Sequence, residues 1–238
     1  MTDQGIDLKD VDFEQWYRDS AGSTTMPWDI GAPQPALVEL ESAGEFGGEV
    51  LDVGCGLGEN SIFLASRGHR VTGVDGAPSA LRQARERATA RGVEVEFAEA
   101  DATRLDGFEN RFDTVLDSAL YHCLTEDARH EYVAALTRAT KPGARLHIFC
   151  FSDALPEGFP TPFRISERNL RETVGKSWTI TRLVPTLYTT ATTAAQMAAL
   201  VENMVPDHRL DRAALSSLET DDRGRVRAAV WQLTAIRP

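Results

Sequence analysis

In EVLDVGCGLGENSIFLASRGHRVTGVD, residues 49–75, Asp52 leads into three glycines, Gly54, Gly56 and Gly58, and Asp75 closes the run. Glycine between an apolar stretch and a helical one lets backbone approach a bound molecule closely, and the helix start offers unpaired N–H groups. An acid ending the next strand is placed to reach ribose hydroxyls. The plainer alternative is a tight strand–helix turn that holds nothing. Two details narrow the chemistry. The spacing is G-x-G-x-G rather than the G-x-G-x-x-G that packs around a pyrophosphate, and Asp52 would repel a diphosphate but attract an ammonium group. A molecule with a ribose and an amino-acid tail suits both acids, and S-adenosylmethionine is such a molecule.

These residues need a scaffold, and the flanking periods supply one. Apolar runs at 50–53, 70–74, 93–97, 112–116 and 145–151 read as strands. Helical patterns at 61–67, 79–91 and 127–140 separate most of them, with Pro78 in the first turn of one and Gly92 after its end. Strands alternating with helices predict βαβ units, a parallel sheet and helices on both faces. Before this core, 11–19 reads as a short helix, MPWDIGAPQP as a loop, and ALVELESAGEF as a helix stopped by Gly47-Gly48. After it come a proline-containing connection, a helix over 166–175, a strand over 178–183 and a closing strand over 227–236. A helical face of Met197, Leu200, Val201 and Met204 lies between those strands. It reads first as core packing, with a substrate wall or an oligomer contact as alternatives.

Composition limits the partners. The formal charge is −11 with a pI near 4.9, which disfavours a nucleic-acid partner in the absence of a basic patch. No apolar run approaches the ~20 residues of a membrane helix, and the N-terminus lacks the pattern of a signal peptide. Cys55, Cys123 and Cys150 lack metal-ligand spacing, which fits reduced thiols in the cytoplasm and no metal site.

The motifs LDVGCGLG, GVD, AEADATRL and FDTVLDSALYHCL resemble, in that order, those of class I S-adenosylmethionine-dependent methyltransferases. The flanking PWDIGAPQPALVEL, DSALYHCL and LPEGFPTPFRISERNLRETV resemble actinobacterial small-molecule methyltransferases acting on heterocyclic toxins. The resemblance implies a Rossmann-like α/β fold, doubly wound, with a seven-stranded, mostly parallel sheet and its last strand antiparallel. It implies one domain over 1–238: an N-terminal lid at 1–48, a cofactor core at 49–151 and a substrate side at 152–238 with an insertion near 190–226. S-adenosylmethionine would be the cofactor and a small aromatic or heterocyclic molecule the substrate. Gly54 and Gly56 would lie against the methionine portion, with Asp52 near its amino group, and Gly58 would complete the cofactor-binding loop. Asp75 would take the ribose, Gly76, Asp101 and Ala102 the adenine, and Asp117 and Ser118 would flank the sulfonium. Gly76 departs from the family pattern, where a bulkier apolar residue is common.

The remaining candidates have two readings each. Asp101 alone could cap a turn. Trp28, with Tyr17 and Trp16, either covers surface or walls the cofactor and acceptor. His122 is either a satisfied polar group or a general base, since imidazole titrates near neutrality, and Tyr121 would orient substrate. Phe151, Phe159 and Phe163 are either acceptor wall or core. Methyl transfer to an ionised oxygen or neutral nitrogen needs alignment more than a strong base. A non-catalytic cofactor- or toxin-binding protein, and a nicotinamide-dependent oxidoreductase, stand as the competing functions.

Overall fold

The computed structural model describes residues 12–19, 26–156, 159–204 and 211–238. The chain opens with α1 (Phe13–Asp19) and α2 (Pro35–Ser42). The core alternates β1 (Glu49–Val53), α3 (Glu59–Ser66), β2 (Arg70–Asp75), α4 (Pro78–Ala90), β3 (Glu96–Glu99), β4 (Phe112–Ser118), α5 (Glu126–Ala139) and β5 (Thr140–Phe151). It closes with α6 (Glu167–Thr173), β6 (Thr179–Thr189), α7 (Ala194–Met204), α8 (Arg212–Ser216) and β7 (Arg227–Ile236).

The seven strands lie in the order β3-β2-β1-β4-β5-β7-β6. All pairs from β3 through β5 are parallel, and β7 runs antiparallel to both of its neighbours. Successive strand residues point to opposite faces, and both faces here are covered. Val50, Leu116, Phe149 and Val230 pack into one core with Leu37 and Leu64. Leu51, Val115, Ile148 and Leu233 pack into the other with Tyr132, Leu136 and Trp178. Chain order reverses between β1 and β4, so a crevice opens at the carboxyl ends of those strands, where ligands of open α/β sheets bind.

Several boundaries differ from expectation. The second helix ends at Ser42 rather than at Gly47-Gly48, because left-handed Gly44 (φ 76°) turns the chain and Glu45 N–H returns to Leu40 O at 3.1 Å. The third strand forms at 96–99, displaced from the alternation at 93–97. The sixth runs on to Thr189 through Pro185, which an edge strand tolerates.

The first helix is fastened across the chain: the Glu14 carboxylate accepts from Ser79 N–H at 2.9 Å and Ser79 Oγ at 2.7 Å, capping the first turn of α4. Of the expected lid, residues 1–11 and 20–25 lie outside the described ones, as do the side chains of Val201 and Met204 on α7.

Candidate active site

The glycine loop leaves β1 and is tied back to β2. Gly54 and Cys55 N–H groups donate to Val74 O at 2.8 and 3.0 Å, and Gly56 N–H donates to Asp75 Oδ2 at 2.8 Å. Gly54 borders the cavity. Gly56 lies beneath α1: a Cβ there would fall 2.8 Å from Tyr17 Oη. Gly58 was expected at the cofactor, but it packs inward. It begins α3 with φ 78°, and a Cβ would meet Phe97 Cζ at 2.9 Å and Ala84 Cβ at 3.0 Å. Its role is helix–sheet packing.

The acids divide into two sets. Asp75 borders the cavity and also accepts from Ala77 N–H at 2.9 Å; burial raises its pKa against those backbone donors. Glu99 and Asp101 border the same end. Asp101 takes Thr103 N–H at 2.8 Å and Thr103 Oγ1 at 2.7 Å, so it caps a turn as well as facing the cavity. Asp52 and Asp117 do not border it. Asp52 is 1% exposed and accepts from Ser61 Oγ at 2.5 Å; burial pushes it to about 6. Asp117 accepts from Leu120 N–H at 2.9 Å, Tyr121 N–H at 3.2 Å and Tyr132 Oη at 2.9 Å, and burial pushes it to about 7. Both expectations for these residues are corrected: their side chains anchor the sheet and the turn after β4. Ser118, one residue on, does face the cavity, as do Gly76 and Ala102.

At Tyr121–Cys123 the chain makes a 3-10 turn, which rotates each residue about a third of a circle from the last. Neighbours therefore face different ways. Tyr121 points into the core with its hydroxyl donating to Asn169 Oδ1 at 3.0 Å, so the expectation that it meets substrate is overturned. His122 faces the cavity. Phe151 N–H donates to His122 Nδ1 at 3.3 Å, which places the neutral ring's proton on Nε2. Burial, and secondarily the Arg129 charge, push the imidazole down to about 3. The expected general base is instead a neutral hydrogen-bond donor.

Phe151 and Phe159 line the cavity edge to face, with centroids 5.4 Å apart. Phe163 does not; its ring lies under the Arg129 guanidinium at 4.8 Å, beside the core. Tyr17 and Trp28 close the cofactor side. Trp28 Nε1–H donates to Tyr17 Oη at 3.1 Å, and Trp16 meets Trp28 edge-on at 5.1 Å. Sequence reading missed Tyr188, Thr190, Leu120 and Leu124, and it favoured core packing for Met197 and Leu200; all six line the cavity. Met197 is also 3% exposed within a packed cluster, so both readings of that face hold.

The whole space measures about 970 Å³ and runs from the glycine loop to α7. That is room for a nucleoside and an acceptor together. Its acids cluster at the loop end, where a cation with a ribose fits, and a Cβ at Gly76 would meet nothing nearer than Ala100 O at 4.0 Å, leaving that wall open. The residues present suit S-adenosylmethionine.

Comparison with known proteins agrees. The family described as methyltransferase domain matches residues 50–143. The chain is 38% identical over 183 residues to the 2-heptyl-1-hydroxyquinolin-4(1H)-one methyltransferase of Mycobacteroides abscessus, covering 75% of this chain and 80% of that one. A solved structure described as "Conversion of a Disulfide Bond into a Thioacetal Group during Echinomycin Biosynthesis" superposes with a TM-score of 0.75 at 35% identity, over 94% of this chain and 91% of that one. An S-adenosylmethionine-dependent methyltransferase from Anabaena variabilis shares the fold, with a TM-score of 0.72 at 14% identity over 100% and 98% of the two chains. The chain belongs to the S-adenosylmethionine-dependent methyltransferases.

Proposed function

We propose that this enzyme methylates an oxygen or nitrogen of a small aromatic or heterocyclic acceptor. The observation that carries the reading is the division of the cavity. Acids gather at the glycine-loop end, whereas the far end is lined by neutral side chains: Leu120, Leu124, Phe151, Phe159, Met197 and Leu200. Placing a phosphate or carboxylate there would cost desolvation with no compensating cation among the described lining residues. A flat apolar ring suits it. The relative from Mycobacteroides abscessus, named for a quinolinone, supports the same class.

When bound, S-adenosylmethionine supplies an electrophilic methyl group. On this reading Asp75 holds the ribose hydroxyls, Gly54 borders the methionine portion, and Gly76, Asp101 and Ala102 border the adenine. Ser118 sits at the junction of the two ends. Tyr17 and Trp28 exclude water from above, and Phe151 and Phe159 align the acceptor ring. Alignment and exclusion of water carry the rate, since the described cavity offers a neutral imidazole rather than a base. Residues 1–48 act as the lid, 49–151 as the cofactor core and 152–238 as the acceptor side of a single domain. The free thiols support a cytoplasmic setting.

The test is release of S-adenosylhomocysteine with a panel of phenols, N-hydroxy heterocycles and ring N–H heterocycles. Turnover is expected with members of that panel and not with aliphatic acids. Tight cofactor binding with no turnover on any of them would overturn the reading.

A further inference from the structure

Tyr188, near the carboxyl end of β6, has no part in the roles above, yet it borders the cavity beside Ser118 and Thr190. Its hydroxyl lies 3.2 Å from Ser118 Oγ. Its ring meets Phe151 edge-on at 6.2 Å, and on its other flank Phe151 contacts His122 at 4.3 Å. The position is rigid. Gln34, 3% exposed, clamps the next residue by accepting from Thr189 N–H at 3.1 Å and donating to Thr189 O at 2.9 Å.

Hydrogen bookkeeping then decides what the pair can do. Two hydroxyls in one hydrogen bond spend one hydrogen on each other, whichever donates, and keep one. Both Ser118 and Tyr188 border the cavity, so the remaining hydrogen has the cavity as its outlet. Burial holds the phenol up at about 12, so it stays a donor at neutral pH.

We propose that the Tyr188–Ser118 pair recognises the acceptor, donating one hydrogen bond to an acceptor oxygen or unprotonated ring nitrogen, across Phe151 from the Nε2–H of His122. This rests on the small-aromatic-acceptor reading and narrows it. The acceptor is an uncharged or anionic ring bearing a hydrogen-bond-accepting heteroatom. A purely hydrocarbon ring would leave two buried donors unmet, and a site built to bond a heteroatom rejects the analogue lacking it.

The test titrates two probes into the full chain saturated with S-adenosylhomocysteine: 2-heptyl-1-hydroxyquinolin-4(1H)-one and 2-heptylnaphthalene, which has no heteroatom. The wild type is expected to prefer the oxygenated probe by at least about tenfold. The double variant Tyr188→Phe/Ser118→Ala, which removes both hydroxyls, should weaken that probe by about fivefold to tenfold, the loss of one hydrogen bond, while 2-heptylnaphthalene binds as before. Either single variant keeps one hydroxyl hydrogen for the acceptor and should lose less than the double variant. An unchanged preference in the double variant overturns the proposal. So does an equal loss for both probes, which would mark a structural role. If the wild type binds neither probe, the inference falls, while the methylation reading is judged separately by S-adenosylhomocysteine release.

Discussion

His122 shows how one hydrogen bond sets a residue's chemistry. With Nδ1 occupied by Phe151 N–H, a proton accepted from substrate has no vacant nitrogen, and burial keeps the ring neutral down to about pH 3. We therefore expect kcat/KM to show no limb from a histidine between pH 5.5 and 8.5. His122→Gln, which can accept and donate as the imidazole does, should keep more activity than His122→Ala, whose loss should be about tenfold or more. A limb near pH 6.5 that vanishes in His122→Gln would restore the general-base role. Asp117 makes a stability prediction. Burial raises its pKa from 3.8 to about 7, so the folded state keeps a proton the unfolded chain releases between about pH 4 and 7. Stability from this group is present at low pH and is lost as pH rises through that window. Asp117→Asn has no such proton, so its stability relative to wild type should rise from pH 4.5 to pH 8, by on the order of 3 kcal/mol. Denaturant midpoints at the two pH values check this; parallel shifts would contradict it.

Among the elements, the loop after β1 joins a binding wall to a packing joint, and the two can be separated. Gly58→Ala puts a methyl group against Phe97 and Ala84 at a left-handed φ of 78°. It should destabilise the fold by roughly 2–4 kcal/mol. The KM for S-adenosylmethionine should hold once measured below the lowered Tm; a rise in that KM with stability intact would return Gly58 to the binding wall. What sequence revealed about these elements follows from their periods. The strand ending at Asp75 and the β1–helix loop were legible because the apolar runs and the glycines mark their ends. The facing of Asp52 and Asp117 was not, because strands buried on both faces lose the alternation that would tell inside from outside. Tyr121 and His122 were separated by a 3-10 turn that leaves no mark in LYHCL. Tyr188 was hidden because the strand read over 178–183 in fact continues through Pro185 to Thr189 on the sheet edge.

At the scale of the molecule, the net charge of −11 and the cavity's one-sided acids act on the same ligand. Asp75, Glu99 and Asp101 face the loop end, and Asp12 and Glu14 add to it from the first helix and the residue before it. The field there favours a cation and focuses it into the crevice at the β1–β4 reversal. S-adenosylmethionine carries one more positive charge than S-adenosylhomocysteine, and the rest of the two molecules is nearly alike. Salt should therefore distinguish them. Raising ionic strength from 50 to 500 mM shortens the screening length from roughly 14 Å to roughly 4 Å. The Kd of S-adenosylmethionine should rise by about threefold or more, while that of S-adenosylhomocysteine moves much less. Calorimetric titration of both ligands at the two salt concentrations gives the comparison. Equal responses would mean that these carboxylates bind only through local hydrogen bonds, and that the acidic balance of the chain does nothing to favour substrate over product.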